Sequence, residues 1–279
     1  MPILAKGRLN FDYTDEGEGR SVALIHSSAS SNRQWQTLAS ALKSRRRVIA
    51  PNLFGYGATS SWNGPTVQKV SDQAALVCAA LEHVEGPIDL VGHSFGALVA
   101  LETALVLGDR VGKLVLFEPN PFAFLDRPGY QEFYAEVLQL HQHVREHGLC
   151  GDWLIVAERF ADYFSGEGSW AAMSIERRLA LAAALAPNLH EWDAVMDRNL
   201  SVSRWKTMTA PALLVWASDT RSSLRAVTAI LHGEYPHWES SQIERGGHMV
   251  PLTRPRVFNR HVERFLEIFL EPNPAEKVS

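Results

Sequence analysis

The residues Ile88-Asp89-Leu90-Val91 run directly into Gly92-His93-Ser94-Phe95-Gly96, and these in turn into ALVALETALVLG over residues 97–108. A short apolar run, a pentapeptide with glycine at both ends and a long apolar run read as strand, tight turn and helix. A serine on such a turn sits in a strained backbone conformation. The flanking glycines let strand and helix approach without side chains in the way. Ser94 is then presented at the carboxyl edge of a sheet. The N–H of Phe95, at the start of the helix, is placed to stabilise a negative oxygen.

Working outward, short β-branched runs alternate with longer amphipathic ones through residue 118 and again after about residue 210. This is the pattern of a mostly parallel sheet covered by helices on both faces, an α/β fold. Strands are predicted over 22–26, 48–52, 88–93, 114–118 and 213–217, with a weaker one over 241–244. Helices are predicted over 34–43, 67–84, 95–107 and 258–270. The stretch 119–209 breaks the alternation, being rich in Ala, Leu, Glu and aromatics at helical spacing. It reads as a helical insertion, with helices over 130–147, 153–164, 175–186 and 191–199, set between core segments 1–118 and 210–279.

The chain has 279 residues and a formal net charge of -4, so it has length for a large core and no basic field to attract nucleic acid. No apolar run is long enough to span a bilayer, and MPILAKGRLN does not resemble a signal peptide, so a cytoplasmic address is expected. Cys78 and Cys150 are far apart and form no CxxC pair, which predicts two buried thiols rather than a disulfide or a zinc site.

Serine is a poor nucleophile until a base takes its proton. His248, in Arg245-Gly246-Gly247-His248-Met249, lies on a flexible loop before the terminal helix and is the best candidate. His141, His143 and His147 sit on a polar helix face. The His143/His147 spacing lacks the carboxylate that a metal site would need, so no metal is expected.

Ser94 in GHSFG, His26-Ser27-Ser28, Pro51-Asn52-Leu53-Phe54-Gly55-Tyr56-Gly57 and Gly247-His248 together resemble the ordered motifs of the α/β-hydrolase superfamily. The resemblance covers about residues 10–118 and 210–270. It implies a cap over the active site, no cofactor, and a second oxyanion N–H from Ser28. The family usually has glycine where Ser27 stands, so the turn is either tamer here or holds Ser27 in strain. His26 reads as a structural turn residue. For the triad acid the resemblance offers two positions: Asp219, in Trp216-Ala217-Ser218-Asp219-Thr220, and Glu118, which ends the strand beside the nucleophile strand. Either would orient His248.

The expected function is hydrolysis of carboxylic esters with small or medium apolar acyl groups, through Ser94, His248 and Asp219 or Glu118, with an acyl-enzyme intermediate. The partner is a small-molecule substrate, with neither nucleic acid nor membrane. A serine at the nucleophile position argues against dehalogenase or epoxide hydrolase chemistry. The alternatives are a carbon–carbon bond hydrolase of ring-cleavage products, a cofactor-free peroxidase, and a slow-turnover ligand sensor. Of the insertion's aromatics, Phe122, Phe124, Trp153, Phe160, Tyr163, Phe164, Trp170 and Trp192, a minority is expected to face substrate and the rest to pack.

Overall fold

The computed structural model describes residues 3–6 and 9–267. Eight strands form one sheet: β1 (Ile3–Lys6), β2 (Leu9–Glu16), β3 (Ser21–Ile25), β4 (Arg47–Pro51), β5 (Ile88–His93), β6 (Val111–Phe117), β7 (Ala212–Ala217) and β8 (Glu239–Ile243). Their order is β1-β2-β4-β3-β5-β6-β7-β8. The β1/β2 and β2/β4 pairs are antiparallel and all other pairs parallel. Around the sheet lie α1 (Gln36–Leu42), α2 (Val70–Ala80), α3 (Phe95–Leu107), α4 (Gln131–Cys150), α5 (Trp153–Ser165), α6 (Ser169–Ala172), α7 (Ile175–Ala184), α8 (Asn188–Val195), α9 (Ser222–Glu234), α10 (Val250–Thr253) and α11 (Pro255–Phe265).

β3 shows why the sheet is covered on both sides. All five of its residues are buried. Val22 and Leu24 pack with Trp35, Leu38 and Phe258, while Ala23 and Ile25 pack into the opposite cluster with Phe95 and Leu98. Alternate side chains leave a strand on opposite faces, so an apolar run without alternation needs a helical layer on each. The chain turns from β3 to β4 on one side and later to β5 on the other. The crevice at the carboxyl ends of β3 and β5 is therefore the switch point where α/β sheets bind ligands.

Several elements differ from the sequence-based expectation. The antiparallel β1–β2 ribbon has no counterpart among the expected strands, because Leu9–Glu16 carries acids that no strand pattern favours. Their partners lie elsewhere in the chain: Asp12 Oδ2 accepts from Asn52 Nδ2 (2.8 Å) and Ala58 N (2.9 Å), and Asp15 is gripped by Arg47 at 2.9 and 2.7 Å. α2 is shorter than 67–84. It begins at Val70, where Asp72 accepts from the Lys69 N–H at 2.8 Å and closes the first turn. The helix expected at 191–199 starts earlier, at Asn188, and stops at Val195. α9 was unmarked, and the last residues expected in the terminal helix, 268–270, lie outside the described residues. Cys150 is exposed at the end of α4 and Cys78 only half-buried, contrary to the expectation of two buried thiols.

Between β6 and β7 the described backbone has no strand: it holds α4 to α8, one 3-10 turn over Phe122–Leu125 and the loops that join them. Glu102, buried in α3, binds this segment's return. It accepts from Arg204 at 2.7 and 2.9 Å and from Trp205 Nε1 at 2.9 Å. Among the described residues, no helix is long and apolar enough to cross a membrane.

Candidate active site

Ser94 occupies the turn between β5 and α3 with φ 56° and ψ -122°, a left-handed conformation that non-glycine residues adopt only under constraint. The constraint is visible. Ser94 N donates to Phe117 O at 2.8 Å, and its carbonyl accepts from Ala97 N and Leu98 N at 2.9 and 3.1 Å. The glycines contribute by lacking a side chain. A Cβ on Gly96 would lie 2.3 Å from His26 O, and one on Gly92 would lie 2.4 Å from Gly96 O. β5 and α3 could not pack this closely otherwise.

His248 Nε2 accepts from Ser94 Oγ at 2.8 Å, and His248 Nδ1 donates to Glu118 Oε2 at 2.6 Å. Ser94 and His248 are each 4% exposed and Glu118 is fully buried, so water does not screen this chain. Glu118 follows β6 with φ 44° and is fixed by its own partners: Ala217 N donates to Oε1 and Thr220 Oγ1 to Oε2, both at 2.8 Å. A hydroxyl, an imidazole and a carboxylate in this order can pass a proton from oxygen to nitrogen while the carboxylate stabilises the resulting imidazolium.

Of the two acids left open by the sequence, Glu118 meets His248. Asp219 turns to the loop carrying His248, accepting from Gly246 N (3.0 Å) and Gly247 N (2.8 Å). Burial opposes its charge, but the Gly246 and Gly247 N–H groups, its own backbone N–H and the Arg245 charge together hold the Asp219 carboxyl below its ordinary range. Asp219 thus shapes the loop.

Phe95 N heads α3, where no intrahelical carbonyl can receive it, beside Ser94. Ser28 lines the same cavity. The left-handed residue in the β3 turn is Ala29 (φ 53°), not Ser27. Ser27 instead turns both its N–H and its hydroxyl to Gln34 Oε1, at 3.1 and 2.9 Å. Gln34 Nε2 donates to His93 Nδ1 (3.1 Å), and His93 Nε2 donates to the His248 carbonyl (2.9 Å). One partly buried relay therefore joins the β3 turn, the nucleophile strand and the histidine loop. His26 is structural: it accepts from Leu53 N at 3.1 Å, and burial lowers its pKa to about 4.

The cavity above Ser94 is ≈ 20 Å³, and its walls include Phe160, Phe164, Trp192, Val195 and Met249. Phe160, Phe164 and Trp192 are the minority of insertion aromatics that reach it; Phe122 and Phe124 pack in the core. Phe164, His248 and Met249 also border a cleft of ≈ 740 Å³. Three polar residues of the cavity went unread in sequence: Asn120, Asn188 and Glu191. Asn188, Glu191, Trp192 and Val195 recur at helical spacing on one face of α8, a signal hidden by the misplaced helix start. Among the described residues no group of three or more His, Cys, Asp or Glu could hold a metal ion.

The model of the alpha/beta hydrolase family matches residues 22–261, which run from β3 into α11 and include the Ser94, Glu118 and His248 positions. The chain belongs to this family. Among curated members, it is 34% identical over 118 residues to the 2-hydroxy-6-oxo-2,4-heptadienoate hydrolase of Pseudomonas putida, covering 41% of this chain and 42% of that one. It is 29% identical over 149 residues to the pimeloyl-[acyl-carrier protein] methyl ester esterase of Aliivibrio salmonicida, covering 53% and 52%. The chain thus spans about half the length of these two relatives. Among solved structures, MGS-M2, an alpha/beta hydrolase enzyme from a Medee basin deep-sea metagenome library, superposes with TM-score 0.77 at 15% identity, covering 98% of this chain and 100% of that one. At that identity the likeness is one of fold.

Proposed function

We propose that this alpha/beta hydrolase is a serine hydrolase of carboxylic esters with small acyl groups. The reading rests on one observation, the imidazole of His248 held between Ser94 Oγ at 2.8 Å and Glu118 Oε2 at 2.6 Å in a buried site. In this reading Ser94 Oγ attacks the ester carbonyl and its proton passes to His248 Nε2. The carbonyl oxygen takes up the electron pair and is stabilised by Phe95 N–H and Ser28 N–H. Collapse expels the alkoxide, which takes the proton from His248 and leaves an acyl-enzyme. A water molecule, deprotonated by His248, then cleaves the acyl-enzyme and restores Ser94. Glu118 accepts from His248 Nδ1 throughout, fixing the imidazole's tautomer and orientation and stabilising the imidazolium.

The cavity of ≈ 20 Å³ supports the small acyl group, since it holds little more than one water-sized group. A second reading, hydrolysis of a carbon–carbon bond in a ring-cleavage product, draws support from the likeness to the Pseudomonas putida enzyme. It would need the cavity to widen toward the cleft beyond Phe164.

The test is a p-nitrophenyl ester series from acetyl to octanoyl, together with labelling by a fluorophosphonate that reacts with activated serines. The expected result is fastest turnover at acetyl or propionyl, with turnover and labelling both abolished in Ser94→Ala. A wild-type protein that neither turns over any ester nor takes the label overturns the serine mechanism. Turnover of a dienoic keto acid well above every ester would favour the second reading.

A further inference from the structure

The roof of the Ser94 cavity holds a carboxyl group that the proposed reaction does not use. Glu191, on α8, is 1% exposed and lines the same cavity as Ser94. Asn188 Nδ2 donates to its Oε2 at 3.0 Å, and Asn188 is itself fixed by Trp192 Nε1, which donates to Asn188 Oδ1 at 2.9 Å. Burial raises the Glu191 pKa, and the nearby hydroxyls of Ser28 and Tyr56 and the Asn188 amide work against that rise. Despite these neighbours, Glu191 Oε1 is buried and receives no well-directed hydrogen bond from the protein. A second acceptor facing the same cavity, Asn120 Oδ1, is buried and unpaired in the same way, in a residue only 5% exposed.

Buried polar atoms without partners are rare, because each forfeits its solvation and gets nothing in return. Two acceptors unpaired in one small cavity, which they share with Ser94 and with the apolar side chains of Phe160, Phe164, Trp192 and Val195, describe a site complementary to a donor. We infer that Glu191 is a specificity-determining residue that selects substrates whose acyl side carries an O–H or N–H donor, such as a hydroxyl or amino group close to the scissile carbonyl. This inference rests on the reading of the Ser94 cavity as the site of hydrolysis. It replaces the purely apolar acyl group expected from the sequence with a small polar one. An apolar group of the same size would leave Glu191 Oε1 and Asn120 Oδ1 unpaired, and discrimination of this kind is stronger than that achieved by size alone.

The test uses the N,N-dimethyl derivatives of propionamide, glycolamide and glycinamide, nearly equal in size and without an amide N–H of their own, whose binding to the protein is measured by calorimetry or by competition with fluorophosphonate labelling. They differ only in a terminal methyl, hydroxyl or ammonium. The glycolamide or glycinamide derivative should bind about tenfold tighter than the propionamide one, the worth of one hydrogen bond to a buried acceptor. Which of the two binds better tells whether the natural donor is neutral or cationic. In Glu191→Leu the preference should vanish, with the propionamide derivative bound at least as well as before, which also shows that the cavity is intact. Three equal affinities in the wild type, binding of none, or a preference that survives in Glu191→Leu overturns the inference. Preferential binding without ester turnover would overturn the hydrolase reading and with it the substrate role of Glu191, whereas turnover without preference would overturn this inference alone.

Discussion

Replacing Glu118 by Gln separates the two acids through the tautomer of His248. In the buried pocket Oε1 faces the Ala217 N–H at 2.8 Å, so an amide nitrogen there would set donor against donor. Gln therefore keeps its oxygen toward Ala217 and presents its NH2 to His248 Nδ1. That interaction favours an imidazole protonated at Nε2, which can no longer accept the Ser94 proton. The wrong tautomer costs about 10⁴ in kcat, or roughly 5 kcal/mol of transition-state stabilisation. The side chain can escape by flipping, at a cost of about 1–3 kcal/mol for the orphaned Ala217 N–H. Flipping restores the tautomer but not the carboxylate charge that stabilises the imidazolium, so the expected loss in kcat lies between about 10 and 10⁴, with KM little changed. Asp219→Asn is the counterpart. Asp219 is exposed and still offers one oxygen to the Gly246–Gly247 turn as Asn, so activity should stay within about fivefold of wild type. Steady-state kinetics on the best p-nitrophenyl ester reads both. If Glu118→Gln keeps more than a tenth of the activity, or Asp219→Asn is the more damaged, the assignment of the acid is wrong.

Three further outcomes follow from the same geometry. Gly96→Ala should destabilise the protein by roughly 1–3 kcal/mol or more, because its Cβ would lie 2.3 Å from His26 O, whereas Gly233→Ala, with nothing within 4 Å, should be neutral or mildly stabilising; urea titration reads both, and equal effects would contradict the packing argument. Phe164→Ala removes the wall between the ≈ 20 Å³ cavity and the ≈ 740 Å³ cleft, so the preferred acyl chain should lengthen by several carbons, and an unchanged chain-length profile would show that Phe164 does not set the limit. Stability should fall in acid: burial keeps His26 neutral down to about pH 4 and pushes His93 the same way, whereas the unfolded chain protonates both below about 6.5. The unfolded state then binds more protons, and the stability present above about pH 6.5 is lost as pH drops, about 3 kcal/mol of it through His26 by about pH 4; a pH series of thermal melts should show a flatter profile in His26→Gln, and an unchanged slope would remove His26 from the account.

What the sequence made legible is what local patterning controls. β5, the Ser94 turn and α3 were readable to the residue because an apolar strand, glycines fixed by close packing and a long apolar helix all point to one structure. The β1–β2 ribbon was illegible because its acids are satisfied by Asn52 and Arg47, residues whose nearness only the fold creates. The choice of acid stayed open for a related reason. Glu118 and Asp219 both end strands at the same sheet edge, and the decision rests on where the His248 loop lands, which depends on the Gly246 and Gly247 N–H groups that Asp219 itself captures. Glu191 was hidden twice, by a helix start placed three residues late and by a carboxyl whose surroundings are assembled from α8, the β3 turn and Tyr56.

The way the insertion joins the sheet bears on how this protein could change its diet. β6 and β7 are parallel hydrogen-bonded neighbours, with Leu114 opposite Ala212 and Phe117 opposite Val215, so the chain leaves for the helices α4 to α8 at the carboxyl edge of the sheet and returns at its amino edge, one strand over. Exchanging that stretch for another that makes the same crossing would change the length of the closed loop at little entropic cost. The three residues assigned to the chemistry come from β5, β6 and the loop after β8, and would stay behind; Glu191 would depart with the helices. The chain is in effect a socket carrying the reaction and a cartridge carrying the taste for substrate. A graft intended to transfer selectivity should be cut after Asn120 and rejoined before Arg204, so that Arg204 and Trp205 keep their grip on Glu102 and the new cartridge seats in the old socket.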